Sequence, residues 1–142
     1  MRACMARGYE YMALTDHSKA LAMTGGLDEE KLARQWEELD AVVAAHPHIA
    51  LLRGLEVDIL KDGTLDLSDE WLERLDIVLV SVHSHFSLSA EEQTARIVKA
   101  VSHPQVNILC HPTGRVLGAR DGYAVNLPEV FEACQQNQVA VE

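Results

Sequence analysis

The sequence predicts an α/β fold with a parallel sheet, in the form of a partial (β/α) barrel, and three observations carry that expectation. Apolar, strand-like runs alternate with helical patterns along all 142 residues. Four of the runs finish on a histidine or a glutamate: 9–15 leads to Asp16-His17, 49–55 to Glu56, 77–82 to His83 and 106–110 to His111. Polar groups gathered at strand C-termini belong to parallel sheets whose C-terminal edge carries the chemistry. No Gly-x-Gly-x-x-Gly or Walker turn follows any strand. That removes the usual dinucleotide and P-loop readings of an open doubly wound sheet, and the histidine endings favour the barrel.

Residues 1–7 have the composition of a helix end, and Gly8 breaks that pattern before the first strand, 9–15. A helix feeding a parallel strand normally follows an earlier strand, so the chain reads as opening inside a larger unit. After His17 a loop passes through Gly25-Gly26, and 27–45 then places Leu32, Trp36, Leu39 and Val43 at the three- and four-residue spacings of an amphipathic helix. Pro47 closes it. The second strand lies in 49–60, Lys61-Asp62-Gly63-Thr64 is a turn, and a short helix covers 69–75. The third strand is 76–83. Ser89, followed three residues later by Glu92, has capping-box spacing and opens a helix that runs to Ser102, with Pro104 just beyond. The fourth strand is 106–111. A polar loop through Gly114, Gly118 and Gly122 leads to a helix over 127–137 with Pro128 at its start, and 139–142 reads as one more strand, cut short.

At 48% hydrophobic and 24% charged residues, the chain has the composition of one soluble globular domain able to bury a core. A formal net charge of -10 argues against a broad grip on nucleic acid, which needs clustered Lys and Arg. Cys4, Cys110 and Cys134 are widely spaced, with no Cys-x-x-Cys pair, and are expected to be free thiols in a reducing cytoplasm. No apolar run approaches the roughly 18 residues of a membrane span, and the N-terminus has no signal-peptide core. The expectation is a cytoplasmic protein with no membrane partner.

The four strand endings carry the chemistry. An acid such as Glu56 at the end of an apolar run is costly to bury unless something neutralises it. Imidazole nitrogens and a carboxylate together are the usual ligands of zinc, manganese or iron, and a carboxylate can bridge two ions. A single histidine of this kind is most simply a hydrogen-bonded structural residue. Four endings on one sheet edge point instead to His17, Glu56, His83 and His111 converging on metal, with Glu56 as the candidate bridge. Strand alternation turns Cys110 away from His111, and Asp16 away from His17, so neither is expected to be a ligand. His85 shares the parity of His83, but Ser84-His85-Phe86 reads as having left the strand, which makes it a secondary candidate. His46, His48 and His103 lie beside prolines near helix ends and are expected to be solvated. Lys19, Arg115 and Arg120, in the loops after His17 and His111, are candidates for phosphate recognition.

Thr15-Asp16-His17-Ser18-Lys19, Gly54-Leu55-Glu56-Val57-Asp58, Ser81-Val82-His83-Ser84 and His111-Pro112-Thr113-Gly114-Arg115 together resemble the polymerase and histidinol phosphatase (PHP) domain, in the form attached to bacterial family X DNA polymerases. The resemblance runs nearly end to end. It implies a distorted (β/α)7 TIM-like barrel with a trinuclear Mn2+ or Zn2+ site that hydrolyses phosphoesters, and in family X polymerases a 3'-5' exonuclease and repair phosphatase. It makes His17 a ligand of one metal, Glu56 the bridge between the other two, and His83 and His111 the partners of Glu56. The family's opening His-x-His strand, its following aspartate and its closing Asp-x-His are not in this sequence. The expectation is therefore one incomplete PHP domain over 1–142. Glu56, His83 and His111 form its complete ligand and catalytic set. It should hold one metal well, have weak activity or none, and associate through two open sheet edges.

Three functions follow from this reading. The first is a metal-dependent exonuclease or phosphodiesterase module that meets a DNA 3' end through a parent polymerase, where other domains would hold the DNA. The second is a histidinol-phosphatase-like enzyme acting on a phosphate monoester, which the acidic charge favours. The third is a non-catalytic, metal-binding remnant of the fold.

Overall fold

The computed structural model describes the backbone of residues 1–142 and every side chain except that of Ala22. The elements are α1 (Arg2–Ala6), β1 (Tyr11–His17), α2 (Glu29–Ala45), β2 (Ala50–Asp58), α3 (Asp69–Leu72), β3 (Ile77–Ser81), α4 (Ala90–Val101), β4 (Ile108–Leu109), α5 (Leu127–Gln136) and β5 (Ala140–Val141). The five strands form one sheet in the order β1-β2-β3-β4-β5, every pair parallel. The order follows the chain without a reversal, as βα units laid down in one direction produce. No helix among the described residues is long and apolar enough to cross a membrane.

Local chemistry explains the helix starts. Asp28 caps α2 by accepting a hydrogen bond from the Lys31 amide at 2.9 Å. At α4 the capping box is complete, with the Glu92 amide donating to Ser89 Oγ and the Ser89 amide to Glu92 Oε2. Pro128 lies in the first turn of α5, where its missing N–H leaves nothing unsatisfied.

The core forms because the strands alternate. Leu55, Val57 and Ile59 of the β2 segment are fully buried in one cluster with Val78 and Val80 of β3, Ile97 and Val101 of α4, and Val130 of α5. Glu56 and Asp58 therefore emerge on the opposite face of β2. Gly54 is required on that strand, since a Cβ there would lie 2.7 Å from both Thr15 and Ile77 side chains.

Several details differ from the sequence reading. The first strand starts at Tyr11, where its ladder partner Ala50 begins, and β1 is an edge strand with Tyr11 exposed. The apolar stripe of α2 is buried at Leu32 and Trp36 but leaves Val43 40% exposed. The fourth strand is only Ile108–Leu109, although the amides of Asn107 and Cys110 still donate to Val78 and Val80 carbonyls, each at 2.9 Å. It ends because His111 turns to φ +30. The edges left open are β1 and β5, as expected of a sheet that has not closed on itself.

Candidate metal centre

The parallel register brings distant residues side by side. His17 ends β1 opposite Glu56 of β2, and Asp58 at the end of β2 faces Ser81 at the end of β3. His83 follows β3 by two residues and His111 follows β4 by two. The three candidate histidines meet around Glu56. Its Oε2 lies 3.5 Å from His17 Nδ1, and its Oε1 lies 3.5 Å from His83 Nε2 and 3.0 Å from His111 Nε2. The His83 ring is 5.1 Å, centre to centre, from both the His17 and the His111 rings. His17, Glu56 and His83 each offer a ligand atom within 4.8 Å of the others. His17, which the resemblance assigns to a separate ion, is as near Glu56 as His83 is.

The electrostatics follow from this convergence. The hydrogen bond with His111 holds the Glu56 carboxyl down to about 2 against the opposing effect of burial, helped by Ser81 and by the charge of His17. The same hydrogen bond raises the pKa of His111 above the usual imidazole value, again against burial. Burial pushes the neighbouring Cys110 thiol up to about 12, with the charges of Glu56 and Glu142 adding to it.

The residues suit a divalent ion. Among the described residues buried His17 Nδ1 has no hydrogen-bond partner, and it faces a carboxylate oxygen at 3.5 Å, an arrangement that a cation between the two would satisfy. Imidazole nitrogens with one carboxylate are donors that zinc or manganese accepts.

The remaining candidates have varied surroundings. Arg115 is exposed, makes no side-chain hydrogen bond or ion pair among the described residues, and lines a cleft of about 280 Å³ together with His83, His111 and Gly114. Arg120 borders the same cleft, but its Nε and Nη2 donate to the Gly114 carbonyl at 3.0 and 2.8 Å, and its guanidinium lies 4.1 Å from the Phe86 ring centre. Lys19 is paired with Glu29 at 2.9 Å. Asp16 is exposed and accepts from Gln35, away from any histidine contact. His85, at φ +55, is exposed, and Cys110 is buried. His46 and His103 are half-buried rather than solvated, because His46 Nδ1 contacts the Val42 carbonyl at 2.9 Å and His103 Nε2 lies 3.4 Å from Asp69.

Two acids at the site escaped the sequence reading. Asp58, only 4% exposed, places Oδ1 2.6 Å from His83 Nδ1. The available signal was its position two residues after Glu56, on the same strand face. Glu142 accepts a hydrogen bond from the His111 amide at 3.0 Å, so the fifth strand also leads to a polar group at this edge.

No family model matches the chain. It is 41% identical, over 140 residues, to the DNA polymerase/3'-5' exonuclease PolX of Bacillus subtilis (strain 168), a match covering 99% of this chain and 25% of that protein. It is 26% identical over 139 residues to the probable phosphatase TTE1963 of Caldanaerobacter subterraneus subsp. tengcongensis, covering 95% of the chain and 50% of the relative. It is 28% identical over 141 residues to the probable phosphatase Teth514_1060 of Thermoanaerobacter sp. (strain X514), covering 95% of the chain and 52% of the relative. The chain thus spans a quarter of the polymerase and about half of these phosphatases. With the four motifs meeting at one sheet edge and 41% identity to PolX along nearly all of its length, the chain fits a PHP-domain segment of the family X DNA polymerase type.

Proposed function

We propose that residues 1–142 form one PHP-type unit, a metal-dependent phosphoesterase module whose sheet is an arc of a distorted (β/α)7 barrel. The observation that carries this reading is the convergence of His17, His83 and His111 on the two oxygens of Glu56. The consecutive parallel strand order supports the barrel, since a doubly wound sheet would reverse at a switch point.

His17, Glu56, His83 and His111 would hold Mn2+ or Zn2+. A divalent ion bound there supplies Lewis-acid polarisation of a phosphoryl oxygen and lowers the pKa of coordinated water. Glu56, whose carboxyl the hydrogen bond with His111 holds down to about 2, lies within 3.5 Å of all three imidazoles. Arg115, unpaired and exposed at the adjoining cleft, is the group free to meet phosphate oxygens and to stabilise the charge that gathers on them. Lys19 and Arg120 would support it from the rim once released from their present partners.

The substrate that the relatives favour is the 3' end of DNA, reached in the setting of a polymerase as in PolX. A phosphate monoester is the second reading, supported by the net charge of -10 and by the similarity to probable phosphatases. Three free cysteines support a cytoplasmic setting.

The test compares the chain with its Glu56→Ala variant for metal content, and for hydrolysis of single-stranded DNA with a 3' end beside a phosphate monoester. Loss of metal in Glu56→Ala, and with it of the weak turnover that the metal supports, is the expected result. Equal metal content in the two proteins would overturn the centre. Metal retained without turnover on either substrate would leave the non-catalytic reading.

A further inference from the structure

We propose that Asp58 is a positioning residue for His83: its carboxylate holds the Nδ1–H of the imidazole, so that the Nε2 lone pair is presented to the metal. The proposal rests on the metal-centre reading above and extends it to a residue outside the ligand set.

The argument begins with a buried acid. Asp58 is 4% exposed, and a carboxylate so enclosed needs a donor. The donor is His83 Nδ1, 2.6 Å from Asp58 Oδ1. Ser81 Oγ lies 3.2 Å from the same nitrogen and can accept from it as well. A proton on Nδ1 leaves Nε2 of the neutral ring as an unprotonated acceptor. That nitrogen lies 3.5 Å from Glu56 Oε1. An Nε2 lone pair and a carboxylate oxygen at that distance are two donors for one cation, and the Asp58 contact leaves that lone pair free. A carboxylate behind a ligating histidine is a general way to fix both the tautomer and the ring plane.

Asp58 is itself held from two sides. Its amide donates to Ser18 Oγ at 2.9 Å and to Asp66 Oδ1 at 3.1 Å, while Asp66 Oδ2 accepts from the Ala20 amide at 2.8 Å. Asp66 is also buried. The loop that follows His17 and the end of the strand carrying Glu56 are thus tied to one point, and that point orients His83. Three ligand-bearing segments share a single support.

The experiment has two readouts. Long-range nitrogen–proton NMR on the metal-free wild type, with His83 neutral, is expected to show the Nδ1–H tautomer. The Nε2–H tautomer would overturn the proposal, and this measurement needs no variant to fold. Zn2+ alone is then titrated into wild type and Asp58→Asn against a competing chelator, with circular dichroism to confirm the fold. Affinity is expected to fall by about 10- to 100-fold in the variant. Unchanged affinity in a folded Asp58→Asn protein would overturn the role of Asp58 while leaving the metal centre standing. Failure of the wild type to bind Zn2+ would instead overturn the metal reading, and this proposal with it.

Discussion

Glu56 and His111, 55 residues apart in the chain, meet through Oε1 and Nε2 at 3.0 Å, and each shifts the titration of the other. This gives the metal-free protein a defined pH profile. The Glu56 pKa falls from 4.5 to about 2 on folding, so its contribution is complete above 4.5 and is lost as the pH drops towards about 2. The His111 pKa rises above 6.5, so its contribution is complete below 6.5 and is lost as the pH climbs through the raised value. Urea unfolding after chelator treatment should show the pair at full strength between these limits. Glu56→Gln should flatten both limbs, and a profile unchanged by Glu56→Gln would contradict the pairing.

The thiols should react unequally. Burial pushes Cys110 up to about 12 and raises Cys134, while Cys4 is partly exposed and lies in the short α1 helix. A thiolate-selective reagent at pH 8 is expected to modify one cysteine of the native protein quickly, identified as Cys4 by mass spectrometry, and all three after denaturation. Fast labelling at Cys110 in the native state would show that the ladder between β3 and β4 opens.

Arg115 and Arg120 should separate by readout. Arg115→Ala removes a charge with no side-chain partner among the described residues, so thermal stability should stay within about 0.5 kcal/mol while kcat/KM on a phosphate substrate falls by roughly tenfold or more. Arg120→Ala breaks the hydrogen bonds to the Gly114 carbonyl and the stack on Phe86, with an expected loss of about 1–2 kcal/mol in stability. Differential scanning calorimetry alongside steady-state kinetics distinguishes the two.

Gly114 supports the same loop. It adopts φ +59, and a Cβ there would lie 2.5 Å from the Tyr123 ring. Gly114→Ala is expected to destabilise the protein by about 1–3 kcal/mol and to disturb the turn that carries Arg115, measurable as a lower unfolding midpoint. An unaltered midpoint would mean that Tyr123 yields freely.

The alternation of strands and helices, the helix starts and the residues at the strand ends are all legible in the linear chain. Those features rest on local chemistry: the three- and four-residue spacing of Leu32 and Trp36, the Ser89–Glu92 capping box, and apolar runs that stop at His17, His83 and His111. The remaining features arise from packing. The turn at His111 limits β4 at its C-terminal end, and the engagement of Arg120 comes from the placement of Gly114 and Phe86. The Asp58–His83 contact joins residues 25 apart in the chain. Such pairings depend on which strands lie side by side and in what register, and no local pattern in either segment records its partner.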